Sequence, residues 1–402
     1  MADDWPAFRG PNGNGVSNEK EIPLKWSKTE NVRWKFKMPR PGNGSPIVAG
    51  GFVFVTSAKD EDGKQRSLYC LDKKTGKVIW ERTEKIEKKM PTHKTNLYCG
   101  TTPTAQADKV VVWHASAGLF CYRFGGQTLW NRKLGEFKHM WGYGTSPIIH
   151  EGKVILHSGP GAKTFVACYD LETGKEIWKT EEEQSTDGER NESGSYMGSW
   201  CTPIVQKSKM RELVICGMST RVVAYDLANG KIVWYCKGTS HMNGDLQYSS
   251  PIVAGDLCFV TGGYSGPAFA FKMGGQGDVT PSARLWRNEK NPQSIGTGVF
   301  VDGFIYRPNA GPATIECINP NTGSVNWKSR GAGANSWGSI VKVGDHCLLT
   351  SQNGSTVVFK PDPEKYQEVA VNKLGEHCNS TPAVSDGRIF IRTFDSLYCI
   401  GK

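Results

Sequence analysis

Short runs in which apolar and polar residues alternate recur along the chain, and each run is followed by a turn and a second run. Clear copies are SLYCLDKKTGKVIW at 67–80, FVACYDLETGKEIW at 165–178 and RVVAYDLANGKIVW at 221–234. Alternation with β-branched and aromatic residues predicts β-strands. Asp-x-x-(Thr/Asn)-Gly between the runs predicts a tight turn, because Gly accepts a positive φ. Each copy is therefore expected to be a strand, a turn and a second strand that ends at Trp.

A second marker precedes each copy and opens a short apolar strand. It is Ser-Pro or Thr-Pro at 45–46, 102–103, 146–147, 202–203, 250–251 and 381–382, with Thr297-Gly298 and Ser339-Ile340 as weaker counterparts. A turn and a hydrophobic strand follow, such as Phe52 to Thr56. The repeat thus has four strands, which we call A to D. A four-stranded repeat of roughly 40 to 55 residues is typical of a β-propeller blade.

Eight strand-A markers predict eight antiparallel blades and an all-β fold. The last blade lacks a strand D, because the chain ends at Lys402, whereas NVRWKF at 31–36 resembles an orphan strand D with Trp34 in the repeat's Trp position. We therefore expect residues 31–36 to complete blade eight, which removes an exposed sheet edge. The prediction is one domain over 1–402, with residues 1–30 as an extension packed on the ring.

Composition and charge narrow the function classes. The chain has 402 residues, 38% hydrophobic and 22% charged, and it has no run of 18 apolar residues that would predict a membrane-spanning helix. The net charge of +10 is spread along the chain without a basic stripe or nucleic-acid-binding module, so we expect no nucleic-acid partner. The start, MADDWPAF, is not a signal peptide. We expect a periplasmic or secreted protein whose leader has been removed. A cytoplasmic protein is the alternative.

The twelve Cys are too few for a disulfide-dense scaffold. Five of them occupy one repeat position on strand C, where other blades have Ala or Val, so the position favours a small buried side chain. These five are Cys70, Cys121, Cys168, Cys317 and Cys399. Since equivalent positions in adjacent blades lie farther apart than the ~7 Å that a disulfide allows between Cα atoms, we predict free thiols.

The repeats resemble the pyrroloquinoline-quinone-like (PQQ-like) β-propeller repeat, whose hallmark is A-x-D-x-x-T-G-x-x-x-W. Ala224-Tyr225-Asp226 to Trp234 and Cys168-Tyr169-Asp170 to Trp178 are close to it, and DWPAFRGPNGNGVS at 4–17 is similar to the mature start of secreted bacterial members. The family includes quinoprotein dehydrogenases and the propeller protein of the outer-membrane β-barrel assembly machinery. The resemblance is specific for the fold, whereas function depends on the site.

The connections from strand D to the next strand A are rich in aromatic and amide residues, and ring closure is expected to gather them around one mouth of the channel. Such a set suits a small-molecule pocket, although it also suits a plug of the channel. The candidate ligand-binding residues are Trp141, Tyr143, Tyr196, Trp200, Asp245, Tyr248, Asn335, Trp337, His377 and Asn379. No motif marks a catalytic residue or a metal site. The polar segment 182–195 is predicted to be a mobile rim loop.

Three functions are consistent with these features. The first is a non-enzymatic binding or scaffold propeller, expected to be a monomer, with a protein or a small anionic or carbohydrate ligand as partner. The second, implied by the resemblance, is a PQQ-dependent quinoprotein dehydrogenase, in which a Trp would stack on the quinone and Asp245 and Asn335 would be candidate calcium ligands. The third is a polysaccharide-acting enzyme, for which aromatic platforms are suited. No cofactor is predicted under the first of these.

Overall fold

Eight four-stranded antiparallel sheets form an eight-bladed β-propeller, in which each sheet has the order A-B-C-D. The computed structural model describes residues 4–182, 188–207, 211–331 and 333–402. Residues 183–187 of the predicted rim loop lie outside the described residues. The fold class expected from the sequence is confirmed.

The strand bounds, from blade 1 to blade 8, are as follows. Strands A are Ile47–Ala49, Thr104–Gln106, Ile148–His150, Ile204–Lys207, Ile252–Ala254, Val299–Val301, Val341–Val343 and Ala383–Ser385. Strands B are Phe52–Ala58, Lys109–Trp113, Lys153–His157, Glu212–Gly217, Leu257–Thr261, Phe304–Pro308, His346–Thr350 and Arg388–Arg392. Strands C are Gln65–Asp72, Leu119–Arg123, Phe165–Asp170, Arg221–Asp226, Ala268–Lys272, Ile315–Ile318, Ser355–Lys360 and Ser396–Ile400. Strands D are Val78–Lys85, Thr128–Arg132, Glu176–Glu181, Ile232–Lys237, Arg284–Asn288, Val325–Ser329, Gln367–Lys373 and Val32–Lys37.

A few short elements supplement the blades. Met197–Ser199 pairs in parallel with Asp245–Gln247. Gly277–Asp278 adds a parallel strand outside strand D of blade 4. The helices among the described residues are the α-helix Thr280–Ala283 and the 3-10 helix Ala115–Ala117.

The N-terminal strand closes the ring. Val32–Lys37 pairs antiparallel with Ser396–Ile400, and Trp34 lies opposite Cys399. In blades 1 to 6 the Trp likewise lies opposite the small strand-C residue, as Trp80 does opposite Cys70. The predicted closure by residues 31–36 is confirmed with a shift of one residue in its bounds.

Each strand-D Trp docks on the next blade, which explains both the Trp and the Gly of the repeat. The indole Nε1 of Trp130 donates to Leu171 O at 2.8 Å. A Cβ at Gly174, whose φ is +66°, would lie 2.5 Å from the Trp130 ring. The repeat Gly therefore serves the turn and also makes room for the neighbouring indole. Equivalent indole–carbonyl bonds are made by Trp34, Trp80, Trp178, Trp286 and Trp327.

Blade 7 lacks the Trp for a geometric reason. Ala370 takes its place, opposite Val358. A Trp there would dock on the C-to-D turn of blade 8, but strands C and D of that blade, Ser396–Ile400 and Val32–Lys37, come from distant parts of the chain and are not joined by such a turn. Instead Trp26 of the N-terminal extension joins the apolar cluster against which Ala370 packs. Asn372 fixes this segment by accepting from Trp26 N at 2.8 Å and donating to Leu24 O at 3.0 Å.

The Ser or Thr two positions before each strand A contributes to a closed circle of hydrogen bonds around the axis. The backbone N–H of each one donates to the side-chain hydroxyl of its counterpart in the next blade, at 2.9 to 3.2 Å, and blade 8 donates back to blade 1. Ser and Thr alternate around the circle, so that a methyl group stands at every second position. We call this circle the hydroxyl belt: Ser45, Thr102, Ser146, Thr202, Ser250, Thr297, Ser339 and Thr381.

The N-terminal segment crosses the channel on the side of the A-to-B turns. Trp5 pairs with Val48 of blade 1, and Val16 forms a bridge with Lys342 of blade 7. Between them, the fully buried Arg9 donates through Nη2 to Gly298 O of blade 6. The segment thus spans from one side of the ring to the other.

The core lies between neighbouring blades, and all twelve Cys contribute to it as free, buried thiols. This agrees with the predicted absence of disulfides among the strand-C positions. Burial raises the pKa of the Cys70 thiol to about 12, and it does the same for Cys168. Cys70 and Cys168 are therefore protonated at neutral pH and act as packing groups.

Candidate functional site

A blind cavity of about 340 Å³ opens at the mouth formed by the D-to-A connections. All eight residues of the hydroxyl belt line its lower part, and Phe8 of the N-terminal segment faces it from below. Because that segment crosses the opposite side of the channel, the cavity is a pocket with a floor. The aromatic residues of the mouth leave this volume open.

One side of the mouth is an aromatic wall centred on Trp141. Its ring centroid lies 4.7 Å from that of Tyr196, 5.8 Å from Trp200 and 5.4 Å from Tyr264. Tyr248 extends the wall, 5.5 Å from Trp200. The indole of Trp200 is fixed because it donates to Gly142 O at 2.9 Å. The wall therefore offers large rigid faces for stacking, with little side-chain entropy to lose.

The other side is a chain of side-chain amides that runs in one direction around the mouth. Gln352 donates to Asn379, Asn379 to Asn43 and Asn43 to Asn96, with distances of 2.9, 3.1 and 3.2 Å. Asn96 then donates to the backbone oxygen of Trp141 at 2.7 Å. A continuous network of this kind holds each amide in one orientation and connects the polar side to the aromatic wall.

The structure gathers half of the predicted site residues around the cavity. Trp141, Trp200, Tyr248, Trp337 and Asn379 line it. Tyr196 does not line it but packs on Trp141 in the outer part of the wall. The other four lie elsewhere.

The structure shows where the side chain of each of these four residues lies. The Tyr143 side chain turns into the protein and donates to Pro160 O at 2.6 Å. Asp245 lies opposite Met197 in the short parallel strand pair, and its carboxylate accepts a hydrogen bond from the Asn191 side-chain amide at 2.9 Å. Asn335 is exposed. His377 packs on Phe394, with ring centroids 4.3 Å apart.

The sequence analysis missed several lining residues. Tyr264, on a B-to-C connection, could have been found, because that connection reaches the same face as the D-to-A segments. Phe8 and Gln293 have no repeat signal that marks them. The belt was recognised only as a strand marker, since nothing in one repeat shows that eight hydroxyls meet at an axis. The missed residues outside the belt include Phe8, Asn43, His93, Thr95, Asn96, Tyr264, Gln293 and Ile295.

The described lining contains no Asp, Glu, Lys or Arg. His93 is its single imidazole, and its Nδ1 lies 2.7 Å from Thr95 Oγ1. Burial raises the pKa of Tyr248 and of Tyr264, so both phenols are protonated hydrogen-bond donors at neutral pH. The described lining therefore offers aromatic faces, amides and hydroxyls, without a pair of groups arranged for proton transfer.

The PQQ-calcium pair of quinoprotein enzymes does not fit this lining. Calcium prefers carboxylate and carbonyl oxygens, but no carboxylate lines the described cavity. Asp245 and Asn335, the candidate ligands, are absent from the lining, and Asp245 is hydrogen-bonded to Asn191.

One group of potential metal ligands occurs among the described residues, far from the mouth. His150, Glu151 and Glu212 lie at the A-to-B turn side of blades 3 and 4, with ligand atoms within 4.8 Å of one another. His150 Nε2 is 3.1 Å from Glu212 Oε1, and Lys207 Nζ is 4.0 Å from the same oxygen. These side chains therefore form a partly exposed cluster of polar and charged groups.

Comparison with known proteins places this chain in a family. The family model "Outer membrane protein assembly factor BamB" matches residues 24–190 and 64–329. A curated relative, "Alcohol dehydrogenase (quinone), dehydrogenase subunit" of Gluconobacter oxydans (strain 621H), is 26% identical over 200 residues, which cover 44% of this chain and 24% of that protein. "Outer membrane protein assembly factor BamB" of Moranella endobia (strain PCIT) is 22% identical over 247 residues, which cover 59% of this chain and 54% of that protein.

The matched regions thus span between a quarter and about half of these two relatives. Among solved structures, quinohemoprotein alcohol dehydrogenase from Comamonas testosteroni superposes with a TM-score of 0.70 at 13% identity, covering 99% of this chain and 80% of that one. This likeness concerns the fold. Within the described parts of the chain, none of the helices has the length and apolar character that a membrane crossing needs.

Proposed function

Because the chain belongs to the family of outer membrane protein assembly factor BamB, we propose that it is a non-enzymatic binding or scaffold propeller of the bacterial periplasm or cell envelope. The family contains assembly factors as well as quinone-dependent dehydrogenases among its relatives. The choice between a binding function and a dehydrogenase function depends on the residues that line the cavity.

The observation that carries the proposal is the blind cavity with an aromatic wall and a described lining free of charged side chains. Aromatic faces stack on flat or ring-shaped groups, and fixed amides and hydroxyls supply orientation. Sugars match both features, since their C–H faces stack and their hydroxyls exchange hydrogen bonds. We therefore propose that the cavity binds a saccharide and holds it without converting it.

One feature argues against the dehydrogenase function for this chain. The described lining has no carboxylate, so calcium would have only neutral amide and hydroxyl oxygens as side-chain ligands there. A polysaccharide-acting enzyme would need a proton-transfer pair, and His93 has no partner carboxylate in the described lining. An envelope protein partner is consistent with the family and would use a surface outside the cavity.

The test is ligand binding to variants of two aromatic residues that line the cavity. Trp141→Ala and Trp337→Ala are expected to weaken the binding of oligosaccharides at least tenfold, measured by calorimetry, because each removes a stacking face. Tyr235→Ala is the matched control, since Tyr235 is a half-buried aromatic residue on strand D of blade 4, away from the cavity. It is expected to leave binding unchanged.

The same titrations with PQQ and Ca²⁺ test the competing function. Tight, calcium-dependent binding of the quinone, with oxidation of an alcohol by the loaded protein, would overturn the proposal. Oligosaccharide binding that survives both Trp substitutions would show that the cavity is not the ligand site.

A further inference from the structure

The hydroxyl belt has unused donors. Each belt oxygen accepts one backbone N–H, yet none of the eight hydroxyls donates a hydrogen bond within the described residues. A hydroxyl has one proton to donate in addition to its two lone pairs. All eight residues are more than nine-tenths buried, and all eight line the cavity. The floor therefore presents a circle of O–H donors that require an acceptor.

Two buried guanidinium groups stand next to this circle. Arg392 Nη1 donates to Gly44 O at 3.1 Å, one residue before Ser45. Arg9 Nη2 donates to Gly298 O at 2.6 Å, one residue after Thr297. In the described parts of the chain both guanidinium groups are fully buried, and their hydrogen-bond acceptors are backbone carbonyl oxygens rather than carboxylates. Burial lowers the pKa of Arg9 to about 9 and of Arg392 to about 10, so both are charged at neutral pH.

These positive charges are costly without a counter-charge. The backbone carbonyl oxygens that accept from the two guanidinium groups replace part of the lost hydration, but these acceptors carry no net charge. Neither guanidinium lines the cavity, so an anion on the axis would interact with both charges at longer range and without direct contact. It would also accept from the belt hydroxyls, and hydrogen bonds to an ionised acceptor are the strong ones.

We propose that the hydroxyl belt is a subsite for the carboxylate group of an acidic sugar whose ring stacks on the aromatic wall. This inference rests on the proposed function and specifies its ligand class. The absence of Asp and Glu from the described lining means that no fixed negative charge opposes the carboxylate. The volume of about 340 Å³ limits the bound part to a few sugar rings.

The experiment compares a short uronic-acid oligosaccharide with its methyl ester and with the neutral oligosaccharide of the same linkage, by calorimetry at low ionic strength. The acid is expected to bind roughly tenfold more tightly than the ester, because charge-assisted hydrogen bonds replace neutral ones. The ligand series leaves the protein unchanged, so failure to fold does not enter. A sulfated oligosaccharide of equal size distinguishes a carboxylate-specific subsite from a general oxyanion subsite.

Two substitutions of Thr297 locate the effect. Thr297→Val keeps the side-chain shape and removes one O–H donor, together with the acceptor of the Ser250 N–H, and is expected to weaken binding of the acid more than that of the ester. Thr297→Ser restores the hydroxyl and is expected to restore the difference. Thr128→Val, on the exposed outer strand of blade 2, is the matched control. Melting curves check that each variant is folded.

The outcomes separate the two proposals. Equal affinities for acid, ester and neutral sugar would overturn the anion subsite and leave saccharide binding in place. A preference for the acid that Thr297→Val does not reduce would place the anion elsewhere and would also overturn the inference. No binding of any of the sugars would overturn both proposals.

Discussion

Replacing Trp34 by Ala tests whether one side chain of the closing strand holds the ring together. Trp34 is 9% exposed, its Nε1 donates to Lys73 O at 3.0 Å, and its ring lies against Gly76 of blade 1. The ring centroid is 6.0 Å from that of Phe390. The substitution removes all of these contacts and leaves a cavity between blades 8 and 1.

Truncation of a buried Trp to Ala costs about 3–5 kcal/mol of unfolding free energy. Unfolding entropy grows by about 2.1 cal/mol/K per residue, so for a chain of 402 residues this loss corresponds to a fall in Tm of about 5 °C if the ring unfolds cooperatively. Trp34→Phe keeps most of the ring contact and loses the indole N–H, so its cost is expected to be about 1 kcal/mol. Calorimetric melting measures each value.

Two further variants serve as controls for Trp34→Ala. Ile79→Ala changes a side chain that is 49% exposed on strand D of blade 1 and should alter stability by less than about 0.5 kcal/mol. Trp130→Ala removes the equivalent contacts between blades 2 and 3, where no chain terminus is involved, and should match Trp34→Ala. If Trp34→Ala melts like the unsubstituted protein while Trp130→Ala is destabilised, the closing strand does not hold the ring.

Two other measurements probe the buried titratable groups. Burial lowers the pKa of His157 from 6.5 to about 4, so the unfolded chain takes up a proton that the folded chain refuses as the pH falls through this interval, and stability should fall with it. His114, which is also buried and has a lowered pKa, contributes in the same direction. His157→Gln should therefore make the dependence of Tm on pH less steep between these values, and an unchanged slope would contradict the assignment. All twelve thiols should react with a thiol reagent only after unfolding in denaturant without reductant, because all are free and buried; a count below twelve would indicate a disulfide.

The repeat pattern determined the blades because it is local. A strand, its turn and the next strand lie within about fifteen residues, and the alternation of side chains and the Gly of the turn follow from backbone geometry alone. The closing strand was also predictable, because Trp34 stands in a run that matches strand D while the last blade lacks one. The sequence also shows that blade 7 lacks the Trp of the repeat. The reason lies in the neighbouring blade 8, where no C-to-D turn is present for a Trp to pack on.

Only the tertiary structure decided what the channel contains. Tyr143 and Trp141 are two residues apart on the same connection, yet one side chain packs inside against Phe137 and the other faces the cavity. The amide chain joins Gln352, Asn379, Asn43 and Asn96 across three blades, and the N-terminal segment closes the channel through long-range contacts that no repeat encodes. The Ser and Thr markers were plain in the sequence, but their meeting as a circle of donors depends on eight blades sharing one axis. Periodicity specifies each blade by its neighbours in the chain, whereas the site is made of single residues from many blades, whose side-chain directions are set by packing at the centre.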